Sequence, residues 1–171
     1  MAEFSYDFDA VHRITTGAIG APGQRVFYLQ ARYGNRMISM VAEKEQVRAL
    51  ADAINRLLDE LVEQNPARST IDDIIVTDMS LEEPLEPEFR VAQMGLGYDN
   101  DRDMIVLVVQ GTNEEDTMLA RISATRPQMR ALSTHAMQVV SAGRPMCMQY
   151  PRPCNYREGR EGVCHFCPDQ N

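Results

Sequence analysis

Between Phe4 and Ala42 apolar and polar residues alternate with a period near two, which is the spacing of a half-buried strand. Phe4, Tyr6 and Phe8 alternate, and Val11 and Ile14 follow, so this stretch reads as one broken strand or two short ones. Gly20-Ala21-Pro22-Gly23 carries the residues of a tight turn. Positions 24–32 are rich in β-branched, aromatic and aliphatic residues. Tyr33-Gly34-Asn35-Arg36 supplies a second turn, and positions 37–42 pair back as the next strand of a hairpin.

From Glu43 the period lengthens to about 3.6. Val47, Leu50, Ala51, Ile54, Leu57, Leu58 and Leu61 share one face, while Glu45, Arg48, Asp52, Arg56, Asp59, Glu60 and Glu63 lie largely off it. This predicts a long amphipathic helix that buries its leucine stripe and ends before Asn65-Pro66, because a residue preceding proline resists the helical region. Positions 67–87 are the least regular. Ile71, Ile74, Ile75 and Val76 suggest a short strand. The acidic, proline-punctuated run from Ser80 to Glu88 reads as a connector, since Pro84 and Pro87 argue against a central strand.

A second β region spans positions 89–98, 103–110 and 117–123. The run Ile105-Val106-Leu107-Val108-Val109 has no polar face and predicts a central strand covered on both sides. Thr125-Arg126-Pro127-Gln128 has the form of a helix start: a hydroxyl cap, an early proline, and glutamine three residues after the cap. Met129, Leu132, Ala136, Val139 and Val140 then face inward, and Gly143 ends the helix.

The two halves look related. Gln46-Val47-Arg48-Ala49-Leu50 recurs as Gln128-Met129-Arg130-Ala131-Leu132, 82 positions later (128 minus 46), and each copy follows a strand at the same offset. A duplicated β-hairpin-α unit explains this pattern. The expected fold is therefore α+β: a mainly antiparallel sheet from two β-hairpin-α halves, with two long helices and a C-terminal metal-knuckle tail. The domain division is 1–143 for the α+β domain and 144–171 for the cysteine-rich tail.

Composition narrows the functional classes. With 171 residues and 44% hydrophobic content the chain supports one real core. A net charge of −8 argues against a general affinity for nucleic acid, except through the tail, where Arg144, Arg152, Arg157 and Arg160 give a local basic bias. The acidic N-terminal stretch lacks the basic-then-apolar form of a secretory signal. No segment reaches the roughly 18 apolar residues of a membrane span, so the expected compartment is the cytoplasm.

Chemistry concentrates at the end of the chain. All four cysteines, Cys147, Cys154, Cys164 and Cys167, lie there beside His165, with none in the preceding 146 positions. In a reducing compartment such a cluster reads as metal ligation before it reads as a disulfide framework. Structural zinc takes four thiolate or imidazole ligands, usually as two short-spaced pairs. Cys164-His165-Phe166-Cys167 forms one pair, and Cys147 with Cys154 forms a looser one held near by Pro151 and Pro153. Four-cysteine zinc ligation follows from that spacing. Disulfides formed on purification, or idle thiols, are the alternatives.

Other motifs read as structure. Gly17, Gly20 and Gly23 lack the strand-to-helix setting of a phosphate loop, so they mark a turn. Asp99-Asn100-Asp101-Arg102-Asp103 has alternating carboxylates, but Met104 stands where a calcium loop needs glycine, so it reads as a solvated hairpin turn. His12 and His135 are solitary, and the methionines serve as pliable core filler.

Gly20-Ala21-Pro22-Gly23-Gln24-Arg25, the strand from Phe27 to Arg32, the helix start at Glu43 and the run from Phe89 to Asp99 resemble a bacterial family of uncharacterised proteins found mostly in actinobacteria. The resemblance covers nearly the whole chain and implies a zinc-knuckle tail without an established activity. Gly143-Arg144-Pro145-Met146-Cys147 and His165-Phe166-Cys167-Pro168-Asp169-Gln170-Asn171 match that family's terminal pattern, which favours Cys147, Cys154, His165 and Cys167 as ligands. The family's second cysteine falls at Tyr150 here, so Cys154 replaces it across a longer loop, and Cys164 is additional.

Two functional readings follow. One is a non-enzymatic binding or adaptor protein, an α+β scaffold presenting a zinc-stapled tail to a protein partner or a nucleic acid. The other is an enzyme of unrecognised type with a pocket between the two β halves, using Asp99, Asp101 and Arg90. Low aromatic content, at 6%, and the lack of paired functional groups count against the second.

Overall fold

The computed structural model describes residues 3–21, 23–66 and 78–142. Its seven strands are β1 (Tyr6–Phe8), β2 (Arg13–Ile19), β3 (Val26–Tyr33), β4 (Arg36–Ala42), β5 (Pro87–Asp99), β6 (Met104–Thr112) and β7 (Thr117–Thr125). Helix α1 (Lys44–Gln64) follows β4, and helix α2 (Arg126–Ser141) follows β7. The strands form one mixed sheet in the order β1-β7-β6-β5-β4-β3-β2. The α+β class and the two helices match the sequence pattern. The expectation that hairpins alone join the strands is corrected at two places. β4 runs parallel to β5 through the α1 crossover, and β1 runs parallel to β7.

The sheet cannot be flat. β1 and β2 stand at opposite ends of the strand order, and six spacings of about 4.8 Å would part them by about 29 Å. The link through residues 9–12 reaches at most about 18 Å. The sheet therefore curls until its ends meet. Val11 donates its amide to the Ser123 carbonyl of β7 and His12 donates to the Arg32 carbonyl of β3, both at 2.9 Å. Phe8 stacks on Tyr33 with ring centroids 5.6 Å apart.

Both helices fill the inner face of this curl. The α1 stripe Val47, Leu50, Ala51, Ile54, Leu58 and Leu61 is buried, as are Met129, Leu132 and Ala136 of α2. They share one core with Leu29, Ile38, Met40, Leu107, Val109 and Ile122. Asn55 fixes the helices to each other, its side-chain oxygen accepting from Arg130 and from Ser133, both at 2.9 Å.

The helix starts repeat one device. Gln46 accepts from the Glu43 amide at 2.8 Å and passes a hydrogen bond to the Val91 carbonyl. Gln128 accepts from the Thr125 amide at 2.9 Å and passes one to the Val11 carbonyl. Each glutamine thus satisfies a helix terminus and ties it to a neighbouring segment.

β5 changes face midway. Phe89 and Val91 point into the core, a bulge intervenes before Gln93, and Met94, Leu96 and Tyr98 point inward afterwards. The bulge leaves Gly95 and Gly97 on the outer face, beside Val108 and Val106 of β6. β6 is interior to the sheet, as its apolar run implies. Only one of its faces is fully covered, however, because Val106 and Val108 are half-buried on the outer side.

Candidate functional site

The outer face of the first meander, β2-β3-β4, carries polar side chains in register. Thr15, Gln30 and Ser39 are direct cross-strand neighbours, and Arg13 and Arg32 form the adjacent row. Alternation places these residues opposite the core. They are nonetheless covered: Thr15, Gln30 and Ser39 are at most 2% exposed, because residues 78–86 run across them as a strap.

Most of the strap's contacts are polar and made through its main chain. The Thr15 hydroxyl donates to the Met79 carbonyl at 2.5 Å. Arg13 donates to the carbonyls of Asp78 and Ser80. The Gln30 carboxamide donates to the Glu82 carbonyl at 3.0 Å and accepts from the Glu82 amide at 2.8 Å, so it pairs both main-chain groups of one residue. Its nitrogen also reaches the Ser39 hydroxyl at 3.0 Å. The Glu82 carboxylate lies between two guanidiniums, 2.5 Å from Arg32 and 3.6 Å from Arg13. Leu81 rests on Gly17, where a Cβ would stand only 2.7 Å from the leucine Cγ. Asp78 accepts from the hydroxyl and the amide of Ser80, which holds its carboxyl below the usual carboxylate range.

A second polar cluster sits at the β5–β6 turn. Asp99 accepts the amides of Asp101 and Arg102, which is the side-chain-to-backbone turn expected of this acidic run. Asp103 adopts a left-handed backbone at φ 52°. Its carboxylate takes a hydrogen bond from Arg126 at 2.8 Å and one from the Tyr98 hydroxyl at 2.5 Å. Burial disfavours the Arg126 charge, yet the bonds to Tyr98 and Asp103 outweigh it and raise its pKa. Arg102 closes the turn onto Asp9.

The residues singled out from the sequence fare differently. Cys147, Cys154, Cys164, Cys167 and His165 lie outside the described residues, as do Pro22, Gly143, the tail arginines and the strand suggested by Ile71 to Val76. Arg90 is not brought to Asp99 and Asp101. It lies near the start of β5 and pairs with Glu43 at 2.8 Å, whereas Asp99 ends the same strand, nine residues or about 30 Å away. His12 is not solitary: its Nδ1 accepts from the Gly34 amide at 2.8 Å and its ring tilts against Tyr33. Among the described residues no three His, Cys, Asp or Glu side chains form a group able to hold a metal. No helix among them is long and apolar enough to cross a membrane.

Sequence reasoning missed the strapped face. Its signal was present in the alternate polar positions Arg13 and Thr15 of β2 and Gln30 and Arg32 of β3, beside a connector of opposite charge. Alternation alone reads such positions as solvated.

A curled α+β scaffold with one polar, strapped outer face is the class this geometry defines. The chain belongs to the family described as proteins of unknown function, DUF3090, whose model matches residues 6–167 and so runs through both halves, the strap and the last cysteine. No curated protein and no solved structure matches the chain.

Proposed function

We propose that this protein is a non-enzymatic binding or adaptor protein of the bacterial cytoplasm, in which a curled α+β scaffold presents a zinc-stapled C-terminal segment to a protein partner. The observation that carries this reading is the confinement of all four cysteines to positions 147–167 of an otherwise cysteine-free chain. Cys147 and Cys154 supply one pair of ligands. Cys164 and Cys167 supply the other, with His165 as the alternative to Cys164. An ion bound this way contributes roughly 10 kcal/mol toward folding a segment poor in aliphatic residues.

The scaffold gives that segment a fixed base. Arg25, at the foot of β3, donates to the Val139 carbonyl at 2.9 Å and toward that of Val140. This fastens the last turn of α2 to the β2–β3 hairpin. The shared β-β-β-α order of the halves and their matched glutamine caps support descent from a duplicated unit.

Elemental analysis of untagged protein tests the zinc site. About one zinc per chain is expected from four protein ligands, lost in Cys147→Ser and in Cys167→Ser. Comparing Cys164→Ser with His165→Ala separates the two ligand sets. Metal-free protein whose mass shows two disulfides overturns the reading.

A further inference from the structure

We infer that the outer face of β2-β3-β4 is a peptide-reading surface, occupied in this chain by its own strap, and that its ligand in trans is an extended acidic segment carrying a leucine-glutamate pair. The inference uses none of the cysteines and goes beyond the zinc reading. Its basis is the kind of contact the face makes. Arg13, Thr15 and Gln30 address main-chain groups of Asp78, Met79, Ser80 and Glu82, which any extended peptide offers. Two elements select for sequence. Arg13 and Arg32 flank the Glu82 carboxylate, and the bare backbone at Gly17 receives Leu81. Main-chain bonds for affinity and side-chain pockets for selection are the division of labour in extended-peptide recognition.

A purely structural cover needs none of this. Buried polar pairs contribute little net stability compared with apolar packing of similar size. The second meander fills the corresponding outer positions with Gly95, Gly97, Val106 and Val108 beside Arg121 and Ser123, a mixed row that stands without a strap over it among the described residues. The charged, amide-bearing row beneath the strap is therefore better explained by recognition. The tethered strap competes with any ligand in trans at an effective concentration in the millimolar range, so the face binds outside peptides weakly until the strap is loosened.

The test uses the full chain and a labelled synthetic peptide, Asp-Met-Ser-Leu-Glu-Glu-Pro-Leu-Glu, copied from residues 78–86. Binding is followed by fluorescence anisotropy, with circular dichroism confirming that each variant is folded. Glu82→Ala, or the milder Glu82→Gln, is expected to bind the peptide about two- to fivefold more tightly than the unaltered chain, the effect of losing one partly screened ion pair from the strap. Arg32→Ala in that background is expected to abolish the gain. A folded Glu82 variant that binds no better than the unaltered chain overturns the inference. So does equal binding of a peptide with alanine at the leucine and first glutamate positions. Zinc content is measured separately on the same preparations, so failure of the metal reading leaves this result interpretable.

Discussion

The two meanders share one core and differ on their outer faces. In β2-β3-β4 that face holds Arg13, Thr15, Gln30, Arg32 and Ser39 beneath residues 78–86. In β5-β6-β7 it holds Gly95, Gly97, Val106 and Val108 among the polar neighbours Gln93, Gln110, Arg121 and Ser123, with no strap across them among the described residues. Cross-strand pairing sets Thr15-Gln30-Ser39 in one meander beside Gly95-Val108-Arg121 in the other. One row is thus wholly polar and buried and the other mixed and half-exposed, and what lies over each decides which is tolerable. A buried carboxamide is stable only with its partners present. A half-exposed valine needs none.

Removing the central amide breaks that contrast most strongly. Gln30→Met leaves the Glu82 N–H and C=O unpaired against the sheet, and we expect a loss of about 2–4 kcal/mol. Val108→Ala, at the matching place in the second meander, removes only half-buried methyls and should cost about 1 kcal/mol or less. Urea unfolding of both variants measures the difference. Equal midpoints mean that the strap's hydrogen bonds do not stabilise the fold.

Gly17→Ala comes next. The new methyl meets Leu81 well inside contact distance, and displacing the leucine should cost about 1–3 kcal/mol. An unchanged melting temperature shows that Leu81 moves aside freely.

Charge makes a smaller difference. Arg32 and Glu82 are each about one-third exposed, so water screens their attraction, and Arg32→Gln should cost only about 0.5–1 kcal/mol, less in high salt. Acid tests the same strap through Asp78. Its carboxyl titrates below its ordinary value. Its contribution is therefore fully present above the unfolded-state pKa and is lost as pH falls through the lowered folded value. Side-chain NMR titration of Asp78 reads this directly, and an ordinary pKa breaks the Ser80–Asp78 link.

Much of this fold was legible because local pattern and global packing agree. The leucine stripe of α1, the Thr125–Gln128 cap and the two hairpins of the first half each follow from residues a few positions apart. What escaped depends on long-range pairing. The parallel joins of β1 to β7 and of β4 to β5 leave no short-range signature, and the strapped face needs residues 13–39 and 78–82 to meet. The apolar run in β6 suggested cover on both sides because Val106 and Val108 are hydrophobic. Their outward neighbours Gly95 and Gly97 leave the cover incomplete. Grouping Arg90 with Asp99 was already at odds with the strand read over positions 89–98, whose length alone holds the two apart. The cysteine cluster is known only as a spacing in the sequence, and it lies outside the described residues.

The smallest expected effect is also the sharpest discriminator between the two faces. Gly97 lies on the outer face of β5 as Gly17 does on that of β2, yet a Cβ built at Gly97 meets nothing within 4 Å. Its backbone carries no positive φ, so alanine fits without strain. Restricting the unfolded chain should then stabilise Gly97→Ala by about 0.4–1 kcal/mol, the opposite sign to Gly17→Ala. Differential scanning calorimetry of the two variants, measured side by side, reads those signs. A destabilised Gly97→Ala would mean that something approaches this glycine closely in solution, and the second meander's outer face would then be covered too.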